Sequence, residues 1–418
     1  MRASRFLTLS FAVWLGAHGL AEPRRQRVSS EAASTRAVWV LRTSLGSPES
    51  VRAMIDRVSA AGFDTVLLQV RGRGEAYYRS RLEPPAPELL ARPGFDPLAL
   101  AIELGHAAGL SVHAWVNVNL VSSAAALPRS AGHVVGRHPE WLMVPQALAR
   151  DLSAIDPASP AYVATLARWT RREAASVEGL YLSPITAAAQ DYSVALIEEL
   201  AGSYALDGVH LDYVRYPNDA FDFSPAALAE FRVSRLSFST TDERERLDAA
   251  AESDPLAWTA YLPDSWAEFR RARLTALVDR IGQAARRTRP GSLISAAVVP
   301  SVAEAREGRL QDWAGWVRGG LLDVVCPMAY TDDAGVFERQ VLAIRDEVPG
   351  ATIWAGVGAY RLSASAASRH VRLARQAGAN GVALFSYDSV AAGRDGGRRY
   401  FASLKPALLE DVPRPPTR

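Results

Sequence analysis

Asp212 ends the run Asp207-Gly208-Val209-His210-Leu211-Asp212, and Tyr213, Arg215, Tyr216 and Pro217 follow. A carboxylate at the junction between an apolar segment and a polar one is costly to keep. It is also the group that gives and takes protons in hydrolytic chemistry. His210 and Asp212 are separated by one residue, so on an extended chain they share a face. His113, Trp115 and Asn117 share a face in the same way, and Arg71 follows Gln69 and Val70 at the end of a third apolar run. Asp212 is the candidate catalytic residue; a simple ion pair with Arg215 or Arg71 is the structural alternative. Asp207, at the other end of the same run, is a poor partner for chemistry and a better local cap.

Cleavage of a glycosidic bond usually takes two carboxyl groups, one donating a proton and one acting as nucleophile or base. Glu75 is the favoured second acid. It follows Gly72 and Gly74 in a loop that can turn tightly, with Asp332 and Asp388 in reserve. A binding role is assigned to Arg71, Tyr78, His113, Trp115, Asn117, Trp141, His210, Arg215, Tyr216, Tyr330, Tyr360 and Asp388. The aromatic members suit stacking on the C–H faces of sugar rings, although each alone is more often core. His113 and His210 with Asp212 form a weaker candidate metal set, without a third His beside them. No His-Glu-x-x-His spacing, nucleophile elbow or glycine-rich dinucleotide fingerprint is present. No metal or cofactor is expected.

These residues need a scaffold that gathers strand ends. Short apolar runs at 37–41, 65–70, 111–117, 208–212, 293–299, 323–327, 353–357 and 382–385 alternate with amphipathic helical patterns. Eight strands with helical crossovers predict a (β/α)8 TIM barrel, an α/β fold whose active face lies at the C-terminal strand ends. The segment 179–184 reads as an extended loop rather than a ninth strand.

The 418 residues are 49% hydrophobic and 22% charged, with a net charge of +2 and no polybasic block. That balance gives no footprint for nucleic acid. Arg2 and Arg5 precede an apolar run and Gly19-Leu20-Ala21, the pattern of a cleaved export signal over 1–21. A linker over 22–34, one catalytic barrel over 35–405 and a flexible tail over 406–418 complete the expected organisation. No later run is long enough to span a bilayer. The expected location is therefore secreted or periplasmic. The single Cys326 has no possible intramolecular partner and reads as a buried apolar residue.

With these motifs assembled, the chain resembles the bacterial glycosyl-hydrolase-like 10 family. The resemblance runs from Arg36-Ala37-Val38-Trp39-Val40 through Gln69-Val70-Arg71, Glu75-Ala76-Tyr77-Tyr78 and His113-Ala114-Trp115-Val116-Asn117. It includes His138-Pro139-Glu140-Trp141, the whole 207–217 segment, Cys326-Pro327-Met328-Ala329-Tyr330 and Gly356-Val357-Gly358-Ala359-Tyr360. It implies a barrel related to amylase-like glycosidases, with a nucleophile-like acid at the position of Asp212. For some relatives it implies action on peptidoglycan strands that lack stem peptides. Four departures stand out. The family pattern usually has Asp where Glu75 stands, and no acid follows the fifth strand, where amylase-like relatives carry their proton donor. Stretches 151–178 and 218–262 are each longer than usual, which predicts long insertions over the active face. The expected function is a glycoside hydrolase acting on a polysaccharide or oligosaccharide of the cell wall or an exopolysaccharide. The alternative is a catalytically silent glycan-binding barrel.

Overall fold

The computed structural model describes residues 34–393 and 395–410. The expected signal segment 1–21 and all of the expected linker but its last residue lie outside the described residues, as do residues 411–418 of the expected tail. Eight parallel strands close into a barrel in sequence order: β1 Thr35–Val40, β2 Thr65–Arg71, β3 Ser111–Asn117, β4 Gly208–Asp212, β5 Leu293–Val298, β6 Val324–Pro327, β7 Thr352–Gly358 and β8 Gly381–Phe385. The barrel helices follow in turn: α1 Pro48–Ala60, α2 Pro97–Ala107, α3 Ala187–Ser203, α4 Pro263–Thr288, α5 Trp313–Arg318, α6 Ala334–Glu347, α7 Ala364–Gln376 and α8 Arg398–Leu409. Each strand position expected from the sequence is found within two residues of its expected ends.

Local chemistry starts the helices. Ser47 caps α1 with Pro48 at the first helical position, Asp96 accepts from the Ala99 N–H ahead of α2, and Asp333 and Ser363 cap α6 and α7. Outward-facing Val38, Val66 and Val112 share one buried cluster with Val51, Ile55 and Val58 of α1 and Leu98 and Ile102 of α2. Burial of each such side chain contributes about 1.5–3 kcal/mol. The barrel interior holds a separate cluster of Ala37, Trp39, Leu67, Trp115, Cys326 and Trp354. Cys326 is thus a buried thiol inside the barrel.

The two expected insertions carry small cores of their own. The first packs Leu152, Tyr162 and Leu166 against Val134 and Leu142 of the preceding segment, and the second packs Phe223, Phe231, Leu247 and Trp258 against Phe269 of α4. Segment 179–184 lies outside the barrel. It pairs only through isolated bridges, Tyr181 with Leu120 and Leu182 with Leu142. Buried Asp222 ties the second insertion to the segment that precedes the first, accepting from the N–H groups of Val144 and Ser224, each at 2.8 Å.

One boundary differs from expectation. The tail was expected to leave the fold at Pro406, yet α8 runs through Pro406 to Leu409, with Leu404, Ala407 and Leu408 buried. Buried Arg375 donates to the carbonyls of Ala407, Leu408 and Glu410, at the end where a helix leaves its last carbonyls without intrahelical partners. Among the described residues no helix is long and apolar enough to cross a membrane.

Candidate active site

A cavity of about 260 Å³ opens at the C-terminal end of the barrel. It is lined by Trp39, Leu41 and Arg42 from the β1 end, Gln69, Gly72 and Arg73 from β2, and Trp115, Asn117 and Leu120 from β3. Asp212, Tyr213 and Arg215 enter from β4, and Ala297, Met328, Tyr330 and Phe385 complete the wall. Asp212 is the only carboxylate among these lining residues.

Strand register explains the depth of each side chain. Asn117 pairs with Asp212, Trp115 with His210, and His113 with Gly208, so one inward face descends the barrel in three layers. At about 3.3 Å of rise per residue, His113 lies roughly 13 Å below Asn117 along its strand. Asp212 sits in the top layer and is 7% exposed. Its Oδ2 accepts from Trp115 Nε1 at 3.0 Å, and its Oδ1 accepts from the Tyr213 N–H at 2.7 Å. Tyr213 has φ 48, a left-handed conformation uncommon outside glycine, so the chain turns sharply straight after Asp212. Burial pushes Asp212 up from 3.8 to about 6, against the lowering effects of Arg215, the Tyr213 N–H and the Trp115 bond. The carboxylate among the groups acting on Asp212 is Glu178, not Glu75.

Arg215 is buried over the Tyr213 ring at 4.7 Å, and its Nη2 donates to Glu178 Oε1 at 3.0 Å. Glu178 also accepts from the Tyr181 hydroxyl at 2.7 Å. Burial alone would raise Glu178, but Arg215 and these hydrogen bonds hold it below its ordinary value. Asn117 donates to the Gly72 carbonyl at 2.8 Å, and Gln69 Oε1 accepts from Arg42 Nη1 at 2.9 Å. Tyr330 stacks on Phe385, with ring centroids 5.0 Å apart, and meets Trp39 edge-on at 6.2 Å. Exposed Tyr360 stands edge-on to both Tyr330 and Phe385.

Several residues expected together in the site lie elsewhere. Arg71 is fully buried, with Nε donating to both Glu83 oxygens at 2.9 Å and further bonds to the carbonyls of Asn117 and Val118. Its displacement has a clear cause. Gln69 pairs with Trp115 but Arg71 pairs with Val116, so a register shift turns Arg71 to the outer face while Gln69 points inward. His113 and His210 line the interior beneath the cavity. His210 Nε2 accepts from Trp39 Nε1 at 2.9 Å, so the ring proton sits on Nδ1, 2.9 Å from Ser295 Oγ. Burial holds His210 down to about 3 and His113 to about 4, so both are neutral. His113 fills the space that Gly208 leaves open: a Cβ there would come within 2.4 Å of His113 Nδ1. The two rings, in different layers, form no metal set with Asp212, and among the described residues no group of three or more His, Cys, Asp or Glu side chains could hold a metal ion.

The expected aromatic wall also divides. Trp115 and Tyr330 line the cavity. Buried Tyr78 packs edge-on against Tyr204, Tyr216 donates to the Arg270 carbonyl at 3.3 Å, and Trp141 stacks on His138 with ring centroids 3.7 Å apart. Asp388 clasps the β1 loop to the end of β8, accepting from the Leu41 N–H at 2.6 Å and from Ser44 Oγ at 2.7 Å. Glu75 is partly buried, within electrostatic reach of Arg42 and Arg73 but outside the lining, and burial raises it. Asp332 is exposed. The sequence reading missed Trp39, Arg42, Gln69, Arg73, Tyr213 and Phe385 as cavity residues. All lie at or just beyond strand ends, the signal that picked out Asp212.

The barrel and this strand-end cavity agree with a family assignment. The chain belongs to the glycosyl hydrolase-like 10 family, whose model matches residues 34–348. Among individual relatives, it is 24% identical over 298 residues to the glycosyl hydrolase YngK of Bacillus subtilis (strain 168), covering 66% of this chain and 48% of that protein. It is 25% identical over 303 residues to the glycosyl hydrolase DigH of Escherichia coli (strain K12), covering 67% and 58%. The chain thus spans about half the length of the curated relatives it matches. In fold it is similar to the catalytic domain of a β-amylase from Paenibacillus polymyxa, with a TM-score of 0.58 at 13% identity over 90% of this chain and 99% of that one. It is also similar to α-L-fucosidase isoenzyme 2 from Paenibacillus thiaminolyticus, with a TM-score of 0.57 at 16% identity over 90% and 49%. These two likenesses concern the barrel alone.

Proposed function

We propose that this protein is an exported glycoside hydrolase acting on a bacterial cell-wall or exopolysaccharide glycan, with peptidoglycan strands lacking stem peptides as the first substrate to try. The observation that carries the reading is Asp212: a buried carboxyl at the head of the cavity, raised to about 6 and framed by Trp39, Trp115, Tyr330 and Phe385. A group so placed is protonated in mildly acidic solution and can deliver its proton to a glycosidic oxygen. This favours proton donor over nucleophile for Asp212. The aromatic rings present apolar faces to a sugar, and Asn117 and Gln69 supply hydrogen bonds to its hydroxyls.

Glu75 is the proposed second acid, on its place after β2 beside two arginines of the cavity. Glu178 is its rival, because Arg215 keeps it ionised and its charge acts on Asp212. Separate Glu75→Gln and Glu178→Gln variants, assayed for release of reducing ends from stem-peptide-free strands, distinguish them. A loss of about 100-fold or more in a folded Glu75→Gln protein supports the first assignment. An unchanged rate there, with loss in Glu178→Gln, moves the role to Glu178. A second reading, a glycan-binding barrel without activity, is favoured by the lack of another carboxylate among the lining residues. It predicts sugar binding without any product.

A further inference from the structure

Three arginines line the cavity, against the single carboxyl of Asp212. Arg215 is the most telling. Its side chain is 10% exposed, Nη2 is taken by Glu178, and the buried Nε and Nη1 have no hydrogen-bond partner among the described residues. Buried guanidinium N–H groups are almost always paired, because leaving them bare is costly. Arg42 spends Nη1 on Gln69, and among the described residues neither Arg42 nor Arg73 makes an ion pair with a carboxylate. Arg73 is held below its ordinary value, first by burial and then by repulsion from Arg42.

We propose that the cavity recognises a sugar bearing a carboxylate, held by Arg215 at depth and by Arg42 and Arg73 nearer the rim. The proposal rests on the glycan reading above and sharpens it. The surplus of positive groups on the lining favours a negatively charged ligand. Among the lining residues three guanidinium groups face one carboxyl group, and the Glu178 carboxylate meets only Nη2 of Arg215. Below about pH 6, Asp212 is neutral and does not supply the missing charge. A planar carboxylate also matches the planar donor set of a guanidinium. Glu178 and the Tyr213 ring then act as positioning groups, fixing Arg215 before the sugar arrives.

The test measures binding by calorimetry at pH 5.5 to the full-chain Asp212→Asn protein, which keeps all three arginines and does not consume the sugar. The probes are stem-peptide-free peptidoglycan tetrasaccharides with free lactyl carboxylates, the same tetrasaccharides with those carboxylates reduced to alcohols, oligouronates, and sulfated chito-oligosaccharides. We expect a carboxylated probe to bind about 10- to 100-fold more tightly than its reduced or sulfated counterpart, the range of one or two charge-assisted hydrogen bonds. Tighter binding of the lactyl or of the uronate probe identifies the source of the carboxylate. A further Arg215→Met substitution is expected to abolish the preference, and Arg73→Gln to reduce it. Equal binding of carboxylated and reduced tetrasaccharides overturns the proposal while leaving the glycan reading intact. Preference for the sulfated probe also overturns it. Binding of none of the four sugars overturns the glycan reading and the proposal together. The comparison between sugars needs no arginine variant to fold.

Discussion

Replacing Asp212 by Asn is expected to remove a pH-dependent destabilisation built into the site. The carboxyl is raised from 3.8 to about 6 by burial. In the folded protein it therefore keeps its proton between those values, while in the unfolded chain it has already lost it. The folded state binds more protons there, so stability falls as pH rises. The contribution is fully present below about pH 4 and is lost above about pH 6. At about 1.4 kcal/mol per pH unit, the loss is about 3 kcal/mol. Asn does not ionise, so Asp212→Asn escapes it. The substitution also has a cost independent of pH. Its one carbonyl oxygen replaces two acceptors, so either the Trp115 N–H or the Tyr213 N–H loses its partner, at about 1–3 kcal/mol. The variant should be less stable than the parent at pH 4 and of equal or greater stability at pH 8. The difference should swing by about 3 kcal/mol. Urea unfolding followed by tryptophan fluorescence, run on both proteins at several pH values from 4 to 8, reads that swing. A difference that stays constant across the range refutes the buried, raised carboxyl.

Three further perturbations probe the same architecture. Trp115→Phe removes a hydrogen bond that lowers Asp212, so the fall of kcat/KM at high pH should move to higher pH in the rate profile. Arg71→Met leaves buried Glu83 without its charged partner, with only the Tyr192 hydroxyl, among the described residues, still donating to its side chain, and should cost about 3–5 kcal/mol in chemical denaturation, part of it recovered by adding Glu83→Gln. Gly208→Ala drives a methyl against His113 and the Leu293 carbonyl and should cost about 1–3 kcal/mol, with His113→Ala relieving the clash with the ring.

The strands were legible because each is a short apolar run set between capped amphipathic helices, and α1 and α2 begin where Ser47-Pro48 and Asp96-Pro97 stand. Asp212 was legible for a related reason: a carboxylate at the mouth of a buried strand has few structural uses. Depth was less visible. Alternation places His113 and Asn117 on one face, but only the barrel register shows that one lies at the bottom and the other at the cavity. Arg71 was misplaced because the shift after Gln69 leaves no mark in the residue pattern. Tyr78, Trp141 and Tyr216 follow the same aromatic signal as Tyr330, and only packing separates a core ring from a cavity wall. Arg42 and Arg73 were overlooked because a strand-end arginine on a loop looks like ordinary surface charge until the opposite wall is known. Pro406 misled for the reverse reason, since Arg375 closes that helix end from a distant segment.

The most direct test of the central claim compares the parent protein with Asp212→Asn on purified stem-peptide-free glycan strands, counting reducing ends released at pH 5 to 8. The account predicts release by the parent that declines above about pH 6, and a loss of about 10²- to 10⁴-fold in the variant, which remains folded. Cleavage by folded Asp212→Asn at the parental rate would contradict it.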